Sequence, residues 1–515
     1  MVTESVWHKL ARLAQGEGRS VYLVGGCLRD EMLRRDRLAG VEHRVDRLNI
    51  DLAIERGAID AAQRWARKLG GAFVLLHESF GSARIVLDDG TEVDVTDFRG
   101  ATIEDDLRGR DFTVNALALP IAHTTAERWS ERDLIDPLGG GEDVRQRRLR
   151  LCSSTALQDD AVRIVRGIAL AARYGFALDD DVMAAIRASA PLLRHVAMER
   201  VMESCWMLMA QANAAPWVAK MEAWGVLDVV LPELTAGRGV DQGGYHHLAV
   251  LPHQIEALRQ LELLLNDAVV FGDRHREGLL SYLQEPLSER HPRVSVMKWS
   301  VLLHDIGKPS SRSVDETGRV WFIGHEIVGA QMAERVAERL RFARREQAAL
   351  VMMVRQHLRP GQLARLRRNS VVAGAGGTAE LQPTPRAIFR FFRDAGAEGL
   401  ATLLVWLADR RATMGLDADP QTLPGDTAMI AELLGRYFDK MAEAVGPPRL
   451  VDGRRLMAHL GIGPGPLIGR LLREIAEAQV ESQVHTEDEA LQLAGRLRQE
   501  WGDSGNAECG IQNAE

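Results

Sequence analysis

The chain has 515 residues, 26% of them charged, with 64 Lys and Arg against 72 Asp and Glu and a formal net charge of -8. That length exceeds what one core can hold, so three or four domains are expected, and the acidic balance excludes a general electrostatic attraction to nucleic acid, leaving any RNA to local basic patches. Four scattered cysteines (Cys27, Cys152, Cys205 and Cys509) lack ligand spacing, which argues against a disulfide framework or zinc ribbon and suits a reducing, cytoplasmic setting. No signal-peptide block and no run of about 20 apolar residues occurs, so no membrane partner is expected.

In chain order, an amphipathic helix is expected around Val6, Leu10 and Leu13. The apolar strand Tyr22-Leu23-Val24 then ends in Gly25-Gly26, followed by a basic helix carrying Arg29 and Asp30. Two glycines at a strand end let the backbone come close to something bulky, and a helix start favours an anion such as phosphate. The chain returns through Asn49-Ile50-Asp51, whose first and third side chains project from one strand face, the arrangement by which carboxylates present divalent metals to a nucleotide. Asp46, an odd number of residues from Asp51, falls on the opposite face unless a bulge intervenes.

A helix over Asp60 to Leu69, closed by Gly70-Gly71, leads into a short strand at Ala72 to Leu76. A hairpin follows, with Arg84 to Leu87 turning at Asp88-Asp89-Gly90 into Glu92-Val93-Asp94-Val95-Thr96, so Asp94 shares a face with Glu92 and Thr96. Next come Phe98-Arg99, the polar run Asp106 to Ala116 containing Arg110, Asp111 and Asn115, and a turn at Ile135 to Gly141.

From about residue 151 strand signals stop and helices succeed one another. Asp160, Arg163 and Arg166 recur every three residues and are expected on one stripe of a helix reaching Tyr174. Further on, His253 lies in an amphipathic helix, His304-Asp305 sits behind an apolar run and before Gly307-Lys308, and Asp409 closes a later helix. Adjacent His and Asp reach one metal only at a helix bend, and imidazole with carboxylate but no thiolate suits Mg, Mn, Ni or Fe. A flexible loop is expected from Asn369 to Pro385, and a disordered tail from 502 to 515.

The Gly25-Gly26-x-x-Arg29-Asp30 turn with its following x-x-Asp strand resembles the class II tRNA nucleotidyltransferase/poly(A) polymerase family, which includes the CCA-adding enzymes. Asp94 before Phe98-Arg99, the Arg110 to Ala116 motif and the Asp160/Arg163/Arg166 stripe carry the same resemblance, with Asn49 standing where the family has aspartate, Gly109 for an arginine and Ala169 for the last arginine of the stripe. His253, His304, Asp305 and Asp409 match the HD metal-dependent phosphohydrolase pattern, with His325 and His357 where binuclear members place extra ligands.

The resemblance implies an α+β fold, with a nucleotidyltransferase head on a small mixed sheet (1–150) followed by a helical neck (151–237), an HD domain (238–415) and a C-terminal helical RNA-binding region (416–501). Its implied function is template-independent addition of CMP or AMP to RNA 3′ ends, above all a tRNA acceptor end, from ATP and CTP. Asp51 and Asp94 are the implied catalytic carboxylates, holding Mg2+ with Asn49. Gly25, Gly26, Arg29, Asp30, Arg110, Asp111 and Asn115 are implied to bind triphosphate and sugar, and Asp160, Arg163 and Arg166 the base. Glu199 and Arg200 brace the base-reading helix. Because an amide is a weaker ligand for a hard cation than a carboxylate, a rival remains: a degenerate RNA-binding head, with hydrolysis of phosphate esters at the HD centre as the only chemistry. A non-catalytic RNA-binding protein is the third possibility, and the complete HD set weighs against it.

Overall fold

A computed structural model describes residues 6–35, 49–125, 129–243, 247–266, 273–372, 383–413, 422–439 and 448–501. The expectations for Asp46 and for the 502–515 tail fall outside them. The chain divides into two compact units, Met1–Val230 and Leu231–Glu515.

The first unit is built on a six-stranded mixed sheet. Its strands are β1 (Val21–Val24), β2 (Asn49–Ile54), β3 (Ala72–His77), β4 (Ser82–Val86), β5 (Glu92–Asp97) and β6 (Ala118–Pro120), in the spatial order β3-β4-β5-β2-β1-β6. Only β2 and β5 run parallel; the other pairs are antiparallel. Alternation along the strands decides the faces. Ile50, Leu52, Ile85, Val93 and Val95 are fully buried in the main core, where helices α1 (Val6–Gln15) and α3 (Ala58–Leu69) add Leu10, Ala61 and Trp65. Asp51, Arg84 and Asp94 occupy the opposite face, in only partly buried positions.

Helix α2 (Gly26–Arg35) follows β1 through Gly25, whose φ of 80° lies in the left-handed region that favours glycine. Helix α4 (Ile103–Arg108) starts in a capping box between Thr102 and Asp105, and the expected turn, at Pro137-Leu138, leads into α5 (Gly140–Arg145), with Asp136 accepting from the backbone of Gly140 and Gly141 at 2.7 and 2.9 Å. The helices α6 (Ala156–Asp159), α7 (Val162–Tyr174), α8 (Asp180–Ser189) and α9 (Met198–Met209) follow. Strand structure does not stop at 151 as expected: Ala177–Leu178 pairs in parallel with Arg148–Leu149.

Among the described residues the second unit is almost wholly helical, apart from the small hairpin Ser313–Val314 with Val320–Trp321. Helices Val250–Asn266, Arg293–Leu303 and Gly399–Thr413 pack on one another at its centre. Of the loop expected from Asn369 to Pro385, the first residues belong to helix Arg359–Val372 and Pro385 opens the next helix, while residues 373–382 lie outside the described residues. No Gly or Pro occurs from Asn369 to Ala373, so no breaker stands at the start of that stretch. Asp409 does not close its helix; Gly399–Thr413 continues for one more turn beyond it. The C-terminal helices Gly453–Leu460, Pro466–Val480 and Glu487–Trp501 enclose their own small core around Leu456, Leu471 and Ala490.

Helix α7 is fitted to the motif that follows α4 at Gly167, where an added Cβ would lie 2.4 Å from the buried Phe112 ring. Alanine is otherwise the better helix residue, so Gly167→Ala tests the packing directly. The substitution is expected to destabilise the protein by about 1–3 kcal/mol in urea unfolding; a stabilised variant would contradict the packing account.

Candidate functional site

Strand register builds the centre of the first unit. In the parallel β2–β5 ladder Asp51 stands opposite Asp94, and Asn49 opposite Glu92, while β4 sets Arg84 opposite Asp94. One row across three strands therefore reads Arg84, Asp94, Asp51, all on the face away from the core. Arg84 donates to both oxygens of Asp94 at 2.7 and 2.9 Å and also pairs with Glu92. Burial, with Asp94 adding to it, raises the Asp51 carboxyl above its ordinary range, against the pull of Arg110. Gly25 leaves room for this group, since a Cβ there would lie 3.2 Å from Asp51 Oδ2 and 3.3 Å from Arg110 Nη1. The adjacent Cys27 thiol is pushed up to about 12 by burial and by Asp51, which marks it as an unreactive packed thiol.

Arg110 is aimed by a residue one helical turn before it. Asp106, 1% exposed, accepts from Arg110 Nε and Nη2 at 3.0 and 2.9 Å and from the Arg99 backbone N–H and Nη1, both at 3.2 Å. Asp111 accepts from the Phe112 backbone at 2.8 Å, from Asn115 Nδ2 at 3.1 Å and from Arg166 at 3.3 Å. Burial opposes its charge, yet Arg166 and these donors hold it below the usual carboxylate range.

Arg29 is more enclosed than an arginine waiting for phosphate. It is 5% exposed, donates to Asp30 at 2.9 Å and to Tyr174 Oη at 2.9 Å, pairs with Asn115 Oδ1, and lies 4.3 Å over the Tyr174 ring. Tyr174 in turn donates to Asp30 at 3.2 Å, so this network ties α2 to the end of α7.

All the expected nucleotide-binding residues except Asp30 line one cleft of about 420 Å³, joined by Asp51, Arg99 and Arg200. Asn49 is not among them; it is exposed at the first position of β2. Asp160 departs from the expected helical stripe. Its backbone is extended (φ -153°, ψ 100°) in the break between α6 and α7, because α6 ends at Asp159 and α7 begins only at Val162. It still faces the cleft, where Arg200 holds its carboxylate at 2.6 Å. Arg163 donates to the carbonyls of Gly109, Arg110 and Ala156 at 3.0 to 3.2 Å, fixing α7 to the head motif.

Sequence reasoning gave no role to Arg84, Asp106 or Tyr174. Arg84 could have been found by counting back along the β4–β5 hairpin, and Asp106 by its i,i+4 spacing to Arg110; nothing in the sequence marks Tyr174.

The second unit gathers six buried ligand groups. His253, His304, Asp305 and Asp409 offer atoms all within 4.8 Å of one another, and Asp305, His325 and His357 form a second such group. Asp305 is shared: Oδ2 lies 3.1 Å from His304 Nε2 and 3.6 Å from His253 Nε2, and Oδ1 lies 3.2 Å from His325 Nε2 and 3.7 Å from His357 Nε2. The turn after helix Arg293–Leu303 lets neighbouring His304 and Asp305 point to one place. In His304, His325 and His357 the Nδ1 atom lies 2.6 to 2.7 Å from the carbonyl three residues earlier. Each Nδ1–H is donated there, which leaves Nε2 with a lone pair for a metal. His304 Nε2 is buried without a hydrogen bond. Burial lowers the basicity of His304, but Asp305 and Asp409 outweigh it and raise the group to about 10, so that a metal ion would take the place of a proton at its Nε2, while burial takes His357 down to about 3. Lys308 Nζ, 2.6 Å from Asp305 Oδ2, also donates to Gln242 at 2.6 Å. An anionic pair shared among imidazoles fits one or two divalent ions. Among the described residues no such tight group occurs in the first unit, where the Arg84 guanidinium is the cation set against the carboxylates.

Comparison with known proteins gives a consistent result. Residues 21–150 match the poly A polymerase head domain, 175–237 the probable RNA and SrmB-binding site of polymerase A, 277–413 the HD domain and 449–494 a putative tRNA nucleotidyltransferase domain 2. The A-adding tRNA nucleotidyltransferase of Deinococcus radiodurans is 32% identical over 446 residues, covering 85% of this chain and 89% of that protein. The CC-adding tRNA nucleotidyltransferase of Thermus thermophilus is 31% identical over 483 residues, 92% of each. The fold resembles that of the Thermotoga maritima CCA-adding enzyme complexed with tRNA, with a TM-score of 0.57 at 18% identity over 96% of this chain and 95% of that one. No helix among the described residues is long and apolar enough to cross a membrane.

The shared carboxylate makes metal content in the second unit testable. Protein loaded with Mn2+ or Ni2+ is expected to retain about two ions per chain there. Asp305→Asn should lose both and His325→Ala about one, as read by elemental analysis after dialysis; unchanged content in Asp305→Asn would refute the assignment.

Proposed function

The chain belongs to the tRNA nucleotidyltransferase/poly(A) polymerase family, and on that premise we propose that the cleft of the first unit binds ATP or CTP and transfers the nucleotide to a tRNA 3′ end. The observation that carries this reading is the β2–β5 register, which sets Asp51 beside Asp94 under Gly25 and Arg110. The terminal 3′-hydroxyl attacks the α-phosphorus; a new P–O bond forms there as the bond to the oxygen bridging the β-phosphorus breaks, and pyrophosphate leaves.

Family head domains use divalent cations, and here Asp51 and Asp94 would hold Mg2+, whose charge stabilises the attacking and departing oxygens. The chain's own groups do the rest. Arg110, anchored through Nε and Nη2 on Asp106, presents Nη1 beside Gly25 to the triphosphate, and Arg99 adds a second positive group from the same anchor. Asp111 and Asn115, locked to each other and to Arg166 and Arg29, form a rigid wall for the sugar. Arg29 works through that wall, its guanidinium already occupied. Asp160 offers an acceptor to an exocyclic amine, which cytosine and adenine carry where uracil and guanine carry a carbonyl. That choice suits both of the nucleotides added by the relatives.

The reading in which the HD centre supplies all the chemistry is overturned by the relatives, which match through the head and are tRNA nucleotidyltransferases. The HD centre supports an added activity instead. An Asp305 carboxylate serving two ligand sets suits hydrolysis of a phosphate ester by a metal-activated water.

Labelled tRNA lacking its terminal nucleotides, with Mg2+ and CTP or ATP, should gain label. Asp51→Ala is expected to lower that rate by roughly 10²-fold or more; label gained equally by wild type and Asp51→Ala would refute the head assignment. Asp160→Ala is expected to narrow the preference for CTP or ATP over UTP by about tenfold. With Mn2+ or Ni2+, hydrolysis of a 2′,3′-cyclic phosphate should vanish in His304→Ala while incorporation persists, and hydrolysis surviving that change would exclude the HD centre as its source.

A further inference from the structure

Resting on the head's nucleotide-transfer reading, we propose that Glu92 supplies, from across the β2–β5 ladder, the metal-binding carboxylate that Asn49 does not. The ladder pairs Asn49 with Glu92 in the row next to Asp51 and Asp94. Because strand side chains alternate, Glu92 and Asp94 share a face, while Val93 and Val95 are fully buried on the other. Paired strands lie about 4.8 Å apart, and glutamate has one methylene more than aspartate. Glu92 therefore sits beside residue 49 on the ladder; its carboxylate is held by Arg84 on β4, and release from Arg84 would let it turn toward the space a carboxylate on residue 49 would occupy.

The acids themselves would repel one another without a cation. Arg84, opposite Asp94, binds both oxygens of that residue and also Glu92 through one guanidinium. A single positive group on β4 thus already gathers both β5 carboxylates. The Arg84 side chain is 29% exposed, so it can swing outward when a divalent ion takes over the same oxygens. Oxygen-only donors of this kind suit a hard cation. Asn49, exposed and neutral at the start of its strand, is thereby relieved of a role that an amide fills poorly.

Fe2+ with ascorbate, used in place of Mg2+, cuts the backbone near bound iron and reports each centre separately in the full chain. Cuts near residues 51 and 94 mark the head; cuts near 253 and 305 mark the HD centre and serve as an internal control of folding. Glu92→Gln is expected to raise the Fe2+ concentration for half-maximal head cutting by about tenfold or more, leaving the HD cuts where they were. Adding Asn49→Asp to that variant should bring head cutting back toward the wild-type midpoint. Head cutting unchanged in Glu92→Gln overturns the proposal. Head cutting lost and not rescued by Asn49→Asp also overturns it, since Glu92 would then act only by holding Arg84. Wild-type protein that cuts at the HD centre and never in the head removes the metal reading of the head itself, a failure distinct from the other two.

Discussion

The parallel pairing of β2 with β5 is the constraint on which the first unit depends. Parallel neighbours need a long crossover, and here α3, β3 and β4 supply it, so the connection that makes the pairing possible also delivers Arg84 to the far side of Asp94. A one-residue slip of β5 against β2 would turn Asp94 into the core and bring Val93 or Val95 out, at the cost of burying a charge. The apolar residues on one face thus hold the acidic residues on the other in register.

Against a net charge of -8, the cleft gathers Arg29, Arg99, Arg110, Arg163, Arg166 and Arg200. Their arrangement is the local answer to an acidic surface. Most of these guanidinium groups are not loose counter-ions. Asp106 aims two of them, Asp111 holds a third, and Asp160 holds Arg200. Such pairing costs affinity for phosphate, because part of the charge is already answered, but it fixes the donors in place before the substrate arrives.

Much of this was legible in sequence because spacing translates directly into strand and helix geometry. The Asn49/Asp51 and Glu92/Asp94 pairs on one face, the hairpin at Asp88-Asp89-Gly90, and the bend that lets His304 and Asp305 converge all follow from period and turn chemistry. What was not legible depended on tertiary detail. Asp160 was expected inside α7, yet the chain breaks there so that its side chain can meet Arg200 on α9. Arg29 was expected to meet phosphate; it lines the cleft, and Tyr174, 145 residues away in sequence, holds it there in a buried network. No local pattern announces a partner at that separation.

The two centres differ in donor chemistry in a way that sorts ions without any further device. The head offers oxygen atoms alone, on strands that leave the face open to a cleft; the second unit offers four imidazoles around two carboxylates, almost fully buried. Hard Mg2+ keeps most of its water and prefers the first kind of site, whereas Mn2+, Fe2+ or Ni2+ gains from nitrogen ligands and tolerates enclosure. Shifting one acid from β2 to β5 leaves that division intact, because it preserves the all-oxygen donor set and changes only the strand that carries it. The fold thus tolerates an amide at Asn49 for the same reason it needs Asp51 and Asp94 in register: in a paired ladder, the neighbouring strand presents a side chain at almost the same point in space.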